Sequence, residues 1–158
     1  MTVTTGSAAK RSAGRNSAKL WTDEERAAMQ ASVRERKAAT RRGSVEERAE
    51  GELEVGAKIA EMPTADRVMA ERIHRLVTTT APSLVPKTYY GMPAYARDGK
   101  VICFFKPASK FKVRYATFEF QPDARLDSGE IWPVSFAVTE LTPRAEAQIV
   151  ELVKKAVG

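Results

Sequence analysis

The sequence predicts an α+β fold, with an antiparallel sheet of about five strands covered by helices and a helical extension ahead of it. Three observations predict it. Helix-start signals stand in the first half of the chain, at Thr22, Ser44 and Thr64. From Pro82 onward, Pro82, Pro86, Pro93 and Pro107 preclude a long helix and β-forming residues take over. A last helix signal, Thr142-Pro143, comes only after the strands, so helix and strand do not alternate as in a parallel α/β protein.

The totals bound the classes. A chain of 158 residues, 43% of them hydrophobic, holds one ordinary domain plus extensions and can build a core. No run approaches the ~18 apolar residues of a membrane span. Residues 1–20 carry no continuous apolar stretch of the signal-peptide kind, so a cytoplasmic location is expected. Cys103 is the single cysteine, which excludes an intrachain disulfide and a multi-cysteine metal cluster. Its apolar neighbours Ile102 and Phe104 predict an inert, buried thiol. With 26 Lys and Arg against 20 Asp and Glu, the net charge of +6 mildly favours anionic partners.

Residues 1–20 combine Ala, Ser, Gly and Thr with Lys10, Arg11, Arg15 and Lys19, and read as a disordered basic tail. Such a tail can grip nucleic acid through counterion release, although many basic tails are only solvated. Residues 21–62 read as a helical extension. Thr22-Asp23-Glu24-Glu25 is a capping box, and Arg34, Arg36, Lys37, Arg41 and Arg42 load the far end of that helix before Gly43 stops it. Ser44-Val45-Glu46-Glu47 repeats the box. Val45, Ala49, Leu53 and Ile59 give the second helix a thin apolar stripe, interrupted by Gly51 and Gly56, which predicts a peripheral extension that docks on the domain or a partner, or self-associates through residues 22–61.

The domain proper is expected over 63–158. Thr64 caps a helix whose core stripe is Met69, Ile73, Leu76 and Val77; His74, the only histidine, lies off that stripe and is expected to face solvent. Short strands are expected at 87–90 and 94–97, bent by Gly91 and Pro93, with Asp98-Gly99 as a type I′ hairpin turn. Lys100–Lys106 is apolar on both faces and reads as the central strand. Phe111, Val113 and Tyr115 alternate with Lys112 and Arg114 as a half-buried strand that 117–120 extends. Residues 121–130 read as a polar loop. Residues 131–139 return as a strand with Trp132, Val134, Phe136 and Val138 on one face, and Pro133 places its start at a sheet edge or bulge. Ala145, Ile149, Leu152, Val153 and Ala156 form the apolar face of the last helix.

The Tyr90-Gly91-Met92-Pro93-Ala94-Tyr95 element, the Gly99-Lys100 hairpin feeding an apolar strand, Phe111-Lys112, and Gly129-x-Ile131 before the last strand and the Pro143 helix resemble the YdhG-like (DUF1801) domain family, over residues 64–157. The resemblance implies a frataxin-like sandwich and, by a characterised member, an intracellular iron chaperone. Iron carriage calls for clustered carboxylates. Asp123, Asp127 and Glu130 are the close acidic group of the sheet half, but they flank Arg125 in a loop and also read as solvated.

Candidate ligand-binding residues are Tyr90, Met92, Tyr95, Lys106, Lys112 and Arg114. Gathered on one sheet face, the tyrosines and cations suit a small anionic or aromatic ligand, or nucleic-acid bases stacked on the rings. The alternative is that the tyrosines belong to the core and the lysines only solubilise. No Ser-His-Asp set, Cys-His set, carboxylate pair or phosphate-binding glycine loop is recognisable, which favours a binding or carrier domain over an enzyme.

Overall fold

The computed structural model describes residues 22, 23, 25–27, 29, 30, 33 and 44–158. The chain divides into two compact units, Met1–Arg41 and Arg42–Gly158. In the first unit the capping box forms as expected. Thr22 Oγ1 accepts from the Glu25 amide at 3.1 Å, and Glu25 Oε2 accepts from the Thr22 amide at 3.2 Å. The expected basic tail and the basic end of this helix lie outside the described residues.

The second unit is α+β. Its elements in chain order are α1 (Ser44–Ala60), α2 (Thr64–Thr80), β1 (Val85–Tyr89), β2 (Met92–Arg97), β3 (Lys100–Lys106), the single turn α3 (Ala108–Phe111), β4 (Ala116–Phe120), β5 (Ser135–Val138) and α4 (Pro143–Val157). The strands form one antiparallel meander in the order β1-β2-β3-β4-β5, with β3 in the middle as its two-sided apolar pattern requires. Asp98 and Gly99 both take positive φ (53° and 78°), the two-residue turn their types favour.

The main core lies between the sheet and α1, α2 and α4. Ile73 and Val77 of α2 and Ile149, Val153 and Ala156 of α4 meet Tyr95, Cys103, Phe105, Phe118 and Phe120 from the strands. Between Tyr95 and Ala96 the β2–β3 register slips, so Ile102 and Cys103 both join this core. On the other sheet face Met92, Ala94 and Phe104 form a smaller cluster with Tyr89 and Val101.

Five expectations are corrected. Val45 and Leu53 are 79% and 76% exposed, and α1 buries Gly51 and Val55 in their place, together with the expected Ile59. Charged neighbours hide this face in the sequence. Contact needs a bare glycine at Gly51, because a Cβ there would overlap the Pro86 carbonyl. α1 is thus docked on the sheet. Arg48 of α1 adds hydrogen bonds to the carbonyls of Pro82 and of Leu84, the latter at 3.0 Å.

Tyr90 belongs to a turn rather than a strand, and Pro93 sits inside β2. The expected strand over 111–115 is absent: α3 occupies its start, Lys112 takes a left-handed φ of 51°, and β4 begins at Ala116. The last strand is shorter, since 131–134 are irregular; Ile131 is 90% exposed, while Phe136 and Val138 do turn to the core. Finally, 121–130 is more than a polar loop. Ala124 and Leu126 are core residues, and the Arg125 amide and the Arg97 guanidinium bond to the Ala156 and Val157 carbonyls at the end of α4, both at 3.0 Å. The start of α4 is as expected, with Thr142 Oγ1 capping the Ala145 amide at 3.1 Å.

Candidate functional site

Three segments converge at one end of the sheet. The first is the β1–β2 turn, where Tyr90 and Gly91 both take positive φ (48° and 74°), the geometry of a two-residue type I′ hairpin. The turn holds the Tyr90 ring out at 79% exposure, edge-on to Tyr89 with centroids 4.6 Å apart. The second is α3 and its flanks. Lys110 Nζ donates to the Tyr90 carbonyl at 3.1 Å and lies over Gly91, where a Cβ would meet the ammonium. The third is the α1–α2 junction. Asp66, buried in the first turn of α2, accepts from the Ser109 amide through Oδ2 at 3.1 Å and so pins α3 to the helical layer.

Between these segments lies a cleft of about 310 Å³ that includes Lys58, Met62, Asp66, Gly91 and Lys110 in its lining. Lys58 sits 3.6 Å from Glu61. The rim continues as a cationic and aromatic strip. Residues 106–118 contain Lys106, Lys110, Lys112 and Arg114 and no acid. Lys106 and Lys110 Nζ lie 5.0 and 5.6 Å from the Phe111 ring centre, and the Arg114 guanidinium 5.0 Å from that of Tyr115. Phe111, Lys112 and Arg114 are exposed and Lys106 is half-buried.

The residues singled out in the sequence separate into three places. Tyr90, Lys106, Lys112 and Arg114 belong to this end of the sheet or its rim. Met92 is buried with Ala94 and Phe104 on the face away from the helices. Tyr95 is fully buried on the helical face, so its hydroxyl is out of a ligand's reach. The reason is the strand's alternation, which sends Met92 and Tyr95 to opposite faces, while the turn holds Tyr90 clear of both.

The Tyr95 hydroxyl is 3.0 Å from His74 Nδ1, and His74 Nε2 is 2.7 Å from Glu52 Oε2. His74 is therefore half-buried and bonded on both nitrogens, not turned to solvent as expected. The chain of three side chains fastens α1, α2 and β2 together. Burial holds the Tyr95 phenol well above its ordinary range, and burial likewise raises the Cys103 thiol. Both stay protonated and inert.

Asp123 lies 3.8 Å from Lys100 Nζ, whereas Asp127 and Glu130 line a shallow cleft beside Trp132 that does not include Asp123. Among the described residues no three His, Cys, Asp or Glu side chains are gathered to hold a metal ion. Lys110, Lys58 and Asp66 are the site residues that sequence reasoning missed. Nothing local in the sequence marks Asp66, and only its burial beside Ser109 shows its role.

No helix among the described residues is long and apolar enough to cross a membrane. Fold and site together define an α+β domain with a small cleft at a hairpin tip, lined by the cations Lys58 and Lys110 and by the acids Glu61 and Asp66. Comparison with protein-family models, curated proteins and solved structures finds no match to this chain.

Proposed function

We propose that this chain is a non-enzymatic binding domain of the YdhG-like type that takes a small anionic ligand in the cleft at the Tyr90-Gly91 tip. The observation that carries the reading is the position of Lys110. Its ammonium is fixed by the Tyr90 carbonyl above a glycine, at the mouth of a cleft that Lys58 also lines. A pre-placed ammonium is a donor for carboxylate or phosphate. The iron-carrier role implied by the resemblance has less support, because among the described residues Asp123, Asp127 and Glu130 are not gathered into one ligand set and Asp123 faces Lys100.

A second reading, single-stranded nucleic acid, is favoured by the exposed rings of Tyr90 and Phe111 beside Lys112 and Arg114, which extend past the cleft. Calorimetric titration with a nucleoside monophosphate, a short single-stranded oligonucleotide and ferrous iron, at two salt concentrations, separates the readings. The small-ligand reading expects the mononucleotide to bind and Lys110→Ala to weaken it about tenfold, or ~1.4 kcal/mol. Binding of the oligonucleotide alone, with a steep salt dependence, would replace it by the second reading. Tight iron binding with neither anion bound would overturn both.

A further inference from the structure

We infer that β5 is the edge through which two copies of this chain pair, antiparallel about a two-fold axis, with Ala137 opposite the second copy's Ala137. The two edges of the sheet are built differently. β1 carries Pro86 and Lys87 within the strand and is packed against α1 through Gly51. Proline and lysine are the residues that keep an edge from pairing with another chain. β5 reads Ser-Phe-Ala-Val, with no charge and no proline, and among the described residues it pairs only with β4.

The backbone phase decides which residues pair. Phe120 donates its amide to the Val134 carbonyl at 2.8 Å, across from it in the β4–β5 ladder. Antiparallel ladders alternate, so 136 and 138 direct their backbone groups to β4 and 135 and 137 direct theirs to the open edge. Ser135 and Ala137 are both exposed. With Ala137 on the axis, its amide and carbonyl exchange bonds with the same residue of the second copy. Phe136 of each copy then lies across from Val138 of the other, on the helical face.

Among the described residues that face is not closed. A groove of about 800 Å³ runs between β5 and α4, with Phe136, Val138, Ile149 and Leu152 among the residues lining it. Phe136 and Leu152 are only half-buried. The charged residues on the same groove are Glu140, Glu151, Arg144 and Lys155, two of each sign. A two-fold axis brings one such set against another, so acids can face bases from both sides, and a second copy suits the groove on charge as well as apolarity. The surface is distinct from the Tyr90-Gly91 cleft, so it stands or falls independently of the ligand.

Sedimentation of the full chain from low to high micromolar concentration tests the pairing. Wild type is expected to go from monomer to dimer across that range. Ala137→Lys and Ala137→Glu change an exposed side chain, and thermal unfolding checks that each variant stays folded. Each is expected to weaken dimerisation at least tenfold, because like charges then face each other on the axis, and an equimolar mixture is expected to dimerise again. A wild type that stays monomeric throughout, a dimer indifferent to both substitutions, or a mixture that fails to pair would each overturn the inference.

Discussion

Gly51 of α1 stands against the carbonyl of Pro86 in β1, so close that a Cβ in its place would overlap the oxygen and lie 2.8 Å from the carbonyl carbon. The obstacle is backbone, which cannot swing aside as a side chain can. Gly51→Ala is therefore expected to destabilise the fold by about 3 kcal/mol, even though alanine is the better helix former. Gly56 lies in the same helix with nothing within 4 Å of its virtual Cβ. Gly56→Ala is expected to stabilise by about 1 kcal/mol. Denaturant unfolding of the two variants checks the pair, and equal signs would contradict the close approach.

Tyr95 and His74 form the second test of the helix–sheet junction. Tyr95→Phe keeps the packing and removes the hydroxyl that meets His74 Nδ1 at 3.0 Å. Leaving a half-buried ring nitrogen without its partner should cost about 1–2 kcal/mol by the same measurement. A cost indistinguishable from zero would mean that solvent replaces the bond.

Alkaline pH should unfold the protein, and the sign follows from burial. The Tyr95 phenol and Cys103 thiol are both raised from ordinary values of 10.0 and 9.0 by desolvation. Above those values the unfolded chain gives up protons that the folded chain keeps. Stability is therefore fully present below about pH 9, and falls as pH climbs from the unfolded values toward the folded ones. Removing the phenol in Tyr95→Phe should flatten the decline above pH 10 by about 1.4 kcal/mol per pH unit. Unfolding measured across this alkaline range, with unchanged slopes in wild type and variant, would argue against a buried phenol.

Thr117 lies in β4 opposite Lys106 and Ala137, and its Oγ1 is buried with no hydrogen-bond partner among the described residues. An unsatisfied hydroxyl costs more than the methyl that would replace it. Thr117→Val is expected to raise stability by about 1 kcal/mol, read as a higher melting temperature. A lower one would point to a partner for the hydroxyl in solution.

Much of this architecture was legible in local chemistry. Thr22 with Glu25, and Thr142 with Pro143, declare helix starts because capping is a contact within one turn. Asp98-Gly99 declares a hairpin because few residues accept its positive φ. The apolar run of Lys100–Lys106 declares a central strand, and Pro133 announces the edge that β5 occupies. The site was less legible. Tyr90 was in view, but its setting depends on Lys110 and Asp66, which lie 20 and 24 positions away along the chain.

The Tyr90-to-Tyr95 element shows where the division falls. By itself the sequence determined that this stretch bends at Gly91 and enters a sheet, since the glycine and the alternation after it are properties of neighbouring residues. Only the tertiary structure decided that Tyr90 stands in solvent, Met92 packs on one face and Tyr95 reaches His74 through the other. It also decided that α1 docks through a glycine, despite the apolar side chains that it exposes. The physical reason is one of range. Capping, turn and alternation energies act over one to four residues, whereas burial and close approach depend on which distant segment arrives to fill the space.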